Sequence, residues 1–261
     1  MPEQISSNSN ALIKLARSLR QKKARDENSL FFVEGILHVG EAAEAGWKFE
    51  VLFYSPDRLK SEFGRQLVER QIQLGVRCFS VTERVFESVS EKENPQGIAA
   101  IVHTRNLELI KEFTAGLYVA IVSPQDPGNI GTILRTMDAV AADGLILLDG
   151  GVDPYHPSAV RASMGAIFWK PFYETEFSSF SAWGKASGIR IIGTSAHAAI
   201  DYRQIKLDPR PTVLLMGSEQ KGLSKEQMEI CGDLISIPMR GRASSLNLAV
   251  ATGILLYAMK G

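Results

Sequence analysis

The residue types able to do chemistry in this chain are concentrated in three short polar stretches, each entered from an apolar run. The stretch SPQDPGNIGTILRT (123–136) supplies Asn129 and Arg135, GSEQKG (217–222) supplies Glu219, and MRGRASSLN (239–247) supplies two arginines, Ser245 and Asn247. Amides, hydroxyls, a carboxylate and guanidinium groups set among glycines bind and orient polar ligands. The patterns of several other chemistries are missing. No GxGxxG follows any apolar run, GxxxxGK[ST] is absent, and GSE at 217–219 lacks the second glycine of a nucleophile elbow. His38, His103, His156 and His197 are scattered without HExxH spacing, and Cys78 and Cys231 form neither a CxxC pair nor a disulfide framework, so no metal is expected. These absences count against nucleotide oxidoreductases, ATPases, hydrolases and zinc enzymes. They leave open an adenosyl ligand held by loops.

The elements that must position those loops can be read from periodicity. The last stretch, 246–259, carries no charge, and Leu246, Ala249, Val250, Gly253, Ile254 and Tyr257 recur at helical spacing with Leu248, Ala251 and Leu255 on the opposite side. Ser244 or Ser245 is a suitable N-cap. A helix apolar all round needs cover on every side, and fourteen residues are too few for a membrane span, so the cover is expected from its own domain or from a second copy. Ahead of it, apolar strands are expected at 117–122, 145–148, 189–193 and 212–216, with helices after Asn129 and at 177–187. Residues 30–102 alternate strand-like and helix-like runs in short steps, which predicts a separate small α/β layer domain.

At 261 residues, 45% of them apolar, the chain suits two domains of ordinary size: 1–106, a connection at 107–116, and 117–261. Lys plus Arg equals Asp plus Glu at 29 each, so binding to nucleic acid has to use a local patch. The densest is on 9–25, where Lys14, Arg17, Arg20, Lys22, Lys23 and Arg25 surround an expected helical stripe of Leu12, Leu15, Ala16 and Leu19 capped by Asn8 or Ser9. MPEQISSNSN has no signal-peptide pattern and no apolar run reaches 18 residues, so the expected location is cytoplasmic, without membrane.

The three polar stretches, in order, resemble the three motifs of the SpoU-type (TrmH-like) RNA ribose methyltransferases of the SPOUT class. DPGNIGTILRT matches the first, LLMGSEQKGLS the second and IPMRGRASSLNLAVA the third. LRQKKARDENSLFFVEG and NPQGIAAIV resemble, more loosely, the L30e-like substrate-binding domain found ahead of many such enzymes. The resemblance implies an α/β protein with an N-terminal L30e-like domain and a C-terminal trefoil-knotted domain. It also implies S-adenosylmethionine as methyl donor, a ribose 2′-hydroxyl as acceptor, and a homodimer formed through the knotted domain. Catalytic roles fall by resemblance on Asn129, Arg135, Glu219, Ser245 and Asn247. Contacts to the cofactor fall on Thr194, Ser195, Ala196, Met216, Gly217, Ile237, Met239, Ser245 and Leu246. Contacts to RNA are expected from Arg20, Lys22, Lys23, Arg25, Arg135 and Arg161. Ribosomal RNA, of the large subunit, is favoured over transfer RNA because the front domain resembles that of ribosomal-RNA members. A non-catalytic RNA-binding protein and a base methyltransferase with a related knot are the competing readings.

Overall fold

The computed structural model of the chain describes residues 3–107, 115–206 and 209–260; most of the expected connection at 107–116 lies outside them. Two compact units result, Met1–Arg105 with Tyr155–Phe168, and Asn106–Pro154 with Trp169–Gly261.

In the first unit the elements are β1 (Gln4–Ile5), α1 (Ala11–Ser18), α2 (Lys22–Asn28), β2 (Leu30–Glu34), α3 (Ile36–Glu44), β3 (Phe49–Tyr54), α4 (Glu62–Gln73), β4 (Cys78–Val81), α5 (Glu83–Val89) and β5 (Ile98–His103). The strand order is β1-β4-β3-β5-β2, parallel from β1 to β3 and antiparallel through β5 and β2. Because successive strand residues face opposite sides, Val51, Phe53, Ala99 and Ile101 join Ile13, Ala16, Leu19, Val85 and Phe86 of the α1 and α5 side in one core. Phe31, Trp47, Tyr155 and Phe168 form a second, aromatic cluster, with ring centroids 4.6–6.3 Å apart. Trp47 Nε1 donates to the Phe168 carbonyl at 2.8 Å, and the Tyr155 hydroxyl both accepts from Arg105 N and donates to Arg105 O. Those bonds explain why Tyr155–Phe168 groups with the first unit, a placement that cutting the sequence at one point cannot express.

The basic helix differs from its reading in one respect. Asn10, not Asn8 or Ser9, caps α1 through its side chain, and the turn at Leu19–Gln21 divides the stretch into two helices. The buried stripe is consequently Ile13, Ala16 and Leu19, with Leu12 and Leu15 half-buried.

The turn also takes Arg25 out of the surface. Arg25 is 2% exposed, and its guanidinium donates to the carbonyls of Leu19 at 2.7 Å and Arg20 at 2.9 Å, satisfying the C-terminal end of α1. Arg25→Ala strands those carbonyls and should cost about 1–3 kcal/mol, read as a lower urea midpoint without a specific loss of RNA affinity. Weaker RNA binding at an unchanged midpoint would place Arg25 on the RNA surface after all.

In the second unit β6 (Leu117–Val122), α6 (Pro127–Ala139) and β7 (Gly144–Leu148) are followed, after the excursion that holds α7 (Pro157–Ala162), by β8 (Phe172–Thr175), α8 (Phe177–Ser187), β9 (Arg190–Thr194), β10 (Ile200–Asp201), β11 (Thr212–Met216), α9 (Lys225–Glu229), β12 (Asp233–Ser236) and α10 (Leu248–Lys260). Seven strands form one all-parallel sheet in the order β10-β12-β9-β11-β6-β7-β8. Its central strands β6, β11 and β7 are buried along their whole length, which is why they read as unbroken apolar runs without alternation. β12 is hydrogen-bonded between β9 and β10, so it occupies the place between two strands that follow each other in the chain.

Two caps also differ from the reading. Asp126 caps α6 by accepting from Gly128 N at 2.8 Å, and Asn247 caps α10 by accepting from Ala249 N at 2.9 Å and Val250 N at 3.3 Å. Asn129 and Ser245 are thereby released from the structural role their residue types allow. β8, absent from the sequence reading, is a short edge strand whose run FYET carries little apolar signal.

Candidate active site

A parallel sheet puts its functional loops at the carboxyl ends of its strands, and the three polar stretches all fall there. Asn129 follows β6, Glu219 follows β11, and Ser245 and Asn247 follow β12. Packing α10 against α6 closes the distance between the first and third stretches, with Gly253 set 3.6 Å from Thr136 Cγ2 by an added Cβ.

The contacts form a directed chain. As the cap of α10, Asn247 spends its carbonyl oxygen on backbone N–H groups, so its amide nitrogen is the end left to donate, and it does so to Asn129 Oδ1 at 3.0 Å. Asn129, 7% exposed, then turns its own amide nitrogen to the Glu219 carboxylate, with which it makes a short hydrogen bond. Each amide orientation is dictated by the previous partner, ending on a carboxylate side chain. The partner of Glu219 in the fold is Asn129, not the nearby cation Arg135 of the same first motif. Arg135 and Ser245 are exposed and outside this chain, and Arg135 makes no hydrogen bond or ion pair among the described residues.

Beside the network lies an open cavity of about 800 Å³, within the range of small-molecule sites. All nine positions expected to hold a cofactor line it: Thr194, Ser195 and Ala196 after β9, Met216 and Gly217 at the end of β11, and Ile237, Met239, Ser245 and Leu246 after β12. Glu219 and Asn247 line it as well. Sequence reasoning missed Leu248, Ala251 and Leu255, which form its floor, although their spacing of three and four along α10 marks one helical face. It also missed Lys221 and Leu223, which lie inside the second motif, His197, which directly follows Thr194–Ala196, and Met228, for which no motif gave a signal.

Gly217 has no room for a side chain: an added Cβ would stand 2.2 Å from the Gly222 carbonyl carbon and 2.4 Å from Leu223 N, both backbone. Gly217→Ala should displace the 217–223 loop and lower stability by about 2–3 kcal/mol, with a measurable drop in melting temperature. A wild-type melting temperature would mean the loop yields freely.

The expected RNA contacts are distributed differently. Arg20 and Arg161 both belong to the first unit and stand 3.4 and 3.5 Å from the same carboxylate, Glu91. Lys22 and Lys23 pair with Asp26 and Glu27 one turn on, exposed contacts worth little. Burial pushes the thiols of Cys78 and Cys231 up to about 11 and about 12, so both stay protonated and neither is a nucleophile. Among the described residues no group of three metal-ligating side chains occurs, and no helix is long and apolar enough to cross a membrane.

Two family models match the chain. Residues 116–257 match the model of the SpoU rRNA Methylase family, and residues 10–100 match that of an MRM3-like substrate binding domain. The chain belongs to the SpoU rRNA methylase family. Among SpoU relatives, a 23S rRNA (guanosine(2553)-2′-O)-methyltransferase of Bacillus subtilis is 32% identical over 99% of this chain and 100% of its own length. A 23S rRNA (uridine(2479)-2′-O)-methyltransferase of Streptomyces viridochromogenes is 32% identical over 92% of this chain and 85% of its own. Among solved structures, an AdoMet-bound rRNA methyltransferase from Sinorhizobium meliloti superposes with a TM-score of 0.89 at 38% identity, covering 98% of this chain and 96% of that one.

Proposed function

We propose that this SpoU protein transfers the methyl group of S-adenosylmethionine to a ribose 2′-hydroxyl of 23S ribosomal RNA. The observation that carries the reading is the Glu219–Asn129–Asn247 chain standing at the wall of a cavity lined by all nine expected cofactor positions. Full-length relatives named for 2′-O-methylation of 23S rRNA support the acceptor.

The cavity fits the donor: small residues and strand ends at Thr194–Ala196 and Gly217 let backbone approach an adenosine, and Ile237, Leu246, Leu248 and Leu255 offer apolar walls. Bound there, S-adenosylmethionine supplies a methyl group made electrophilic by its sulfonium. The protein's part is to place and activate the hydroxyl. Asn129 and Asn247, with their amides fixed end to end, orient the 217–223 and 239–247 loops, the first through the bond from Asn129 to the Glu219 carboxylate and the second through the bond between the two amides. The guanidinium of Arg135 holds the neighbouring phosphate and stabilises the alkoxide as it develops, the hydroxyl proton leaving to solvent.

The first unit reads the RNA, with Arg20 and Arg161 around Glu91 as its phosphate contacts. The insertion of β12 between the consecutive strands β9 and β10 supports a trefoil-knotted second unit. A homodimer forms through α10, whose Val250 and Tyr257 are 52% and 60% exposed in the single chain. Work on ribosomal RNA places the protein in the cytoplasm.

The test is transfer of labelled methyl to protein-free total RNA fractionated by size, followed by nucleoside mass analysis. Label on a ribose of large ribosomal RNA is the expected result; label on a base, on transfer RNA alone, or on no RNA or ribosomal subunit would overturn it. For the dimer, Tyr257→Glu should turn a dimeric wild type into a monomer in sedimentation, and an unchanged dimer would move the interface elsewhere.

A further inference from the structure

Three ionisable side chains line the cavity, Glu219, Lys221 and His197, and the side chains of the last two have no task in the site as described. Glu219 is committed to Asn129. The His197 backbone is tied to Ser195 Oγ at 3.2 Å within its own loop. Lys221 stands at the tip of the 217–223 loop, and that tip is rigid. Ser218 and Gly222 exchange backbone hydrogen bonds at 3.2 and 2.9 Å, Lys221 N donates to Ser218 Oγ at 3.3 Å, and Gly222 turns the chain in the left-handed region at φ +66°. The preceding residue pins the loop to the neighbouring one, as Gln220 Nε2 donates to Gln125 Oε1 at 3.0 Å. On this fixed base the Lys221 ammonium is exposed and makes no hydrogen bond or ion pair among the described residues.

We infer that Lys221 binds the carboxylate of the methionyl tail of S-adenosylmethionine and so distinguishes the intact cofactor from adenosyl ligands that lack the amino-acid end. The inference rests on the cofactor reading above. S-adenosylmethionine carries a single anionic group, its carboxylate, together with a cationic ammonium and a cationic sulfonium, while its adenosine is neutral. An ammonium on the cavity lining repels the two cations and attracts the carboxylate, so the charge pattern alone assigns the end of the ligand that Lys221 meets. The adenosine is left to the apolar floor of Leu248 and Leu255. Rigidity of the loop matters because the lysine then pays little backbone ordering on binding, leaving side-chain freedom as the main entropic opposition.

Calorimetric titration with S-adenosylmethionine, S-adenosylhomocysteine and 5′-methylthioadenosine tests this, since the third lacks the amino-acid tail. Lys221→Gln should weaken the first two by about fivefold, the upper end for a solvent-exposed ion pair, and leave 5′-methylthioadenosine unchanged; Lys221→Arg should restore both, and added salt should narrow the difference. Equal weakening of all three ligands, or of none, overturns the assignment, as does a His197→Gln variant that separates the ligands where Lys221→Gln does not. A wild type that binds none of the three overturns the cofactor reading and this inference with it, whereas tight binding of all three by both wild type and Lys221→Gln leaves the cofactor reading intact and removes only Lys221.

Discussion

Arg135→Ala is expected to lower kcat for RNA methylation by about 10²–10³-fold, the loss typical of removing one donor to a developing oxyanion, while S-adenosylmethionine binds as before. The separation follows from position. Arg135 is exposed on α6, has no partner among the described residues to leave stranded, and is not among the residues lining the cavity. Its removal therefore costs neither fold nor cofactor. Single-turnover methyl transfer with saturating cofactor, beside calorimetry, makes the comparison. A kcat near wild type would take Arg135 out of the chemistry, and a parallel loss of cofactor affinity would make it a cavity residue. The role of the guanidinium as a charge stabiliser, not a base, has its own check: a pH–rate profile with one ionisation near neutrality that disappears in Arg135→Lys would assign it the proton.

Asn129→Ala should produce the second largest effect, and on two readouts together. The side chain is buried and both ends of its amide are in use, so alanine leaves Asn247 without its acceptor and Glu219 without its donor. Asn247 and Glu219 are exposed and regain water, so the stability loss is that of the hydrogen bonds themselves, about 0.5–1.5 kcal/mol each, and the loops they hold set the geometry on which a displacement depends. A misplacement on the order of 1 Å lowers turnover by as much as about 10²-fold. Glu219→Gln separates geometry from charge: its Oε1 still accepts from Asn129, so it should retain more activity and more stability than Asn129→Ala. Equal losses in both variants would mean that the carboxylate charge, and not the orientation of the chain, is what the site requires.

Much of this was legible in the residues. The unbroken apolar runs of β6 and β11 announced strands, the glycine-rich polar loops after them announced where a ligand would sit, and three motifs in order pointed to the family. The nine expected cofactor positions were reachable because the family resemblance places them by motif and strand end, and strand ends are local features of the sequence. Helix caps were less legible: Asp126, Asn129, Ser244, Ser245 and Asn247 all have capping side chains, and only the register of each helix chose Asp126 and Asn247.

What the sequence could not decide depends on atoms far apart in the chain. Arg25 read as a surface cation like its neighbours until the turn at Leu19–Gln21 aimed it at two orphan carbonyls. Glu219 could equally have met Asn129 or Arg135; the packing of α10 on α6 brought Asn247 to Asn129, and the direction of that one hydrogen bond left Glu219 a single donor. Tyr155–Phe168 joined the first unit because Phe31 and Trp47 offered aromatic surface and Phe168 an otherwise unpaired carbonyl, a match between distant segments that no local pattern records. Local periodicity and turn chemistry thus determined the strands, helices and loop positions. The pairing of buried polar groups, which is settled only when every donor must find an acceptor in three dimensions, determined which of the candidate residues act together.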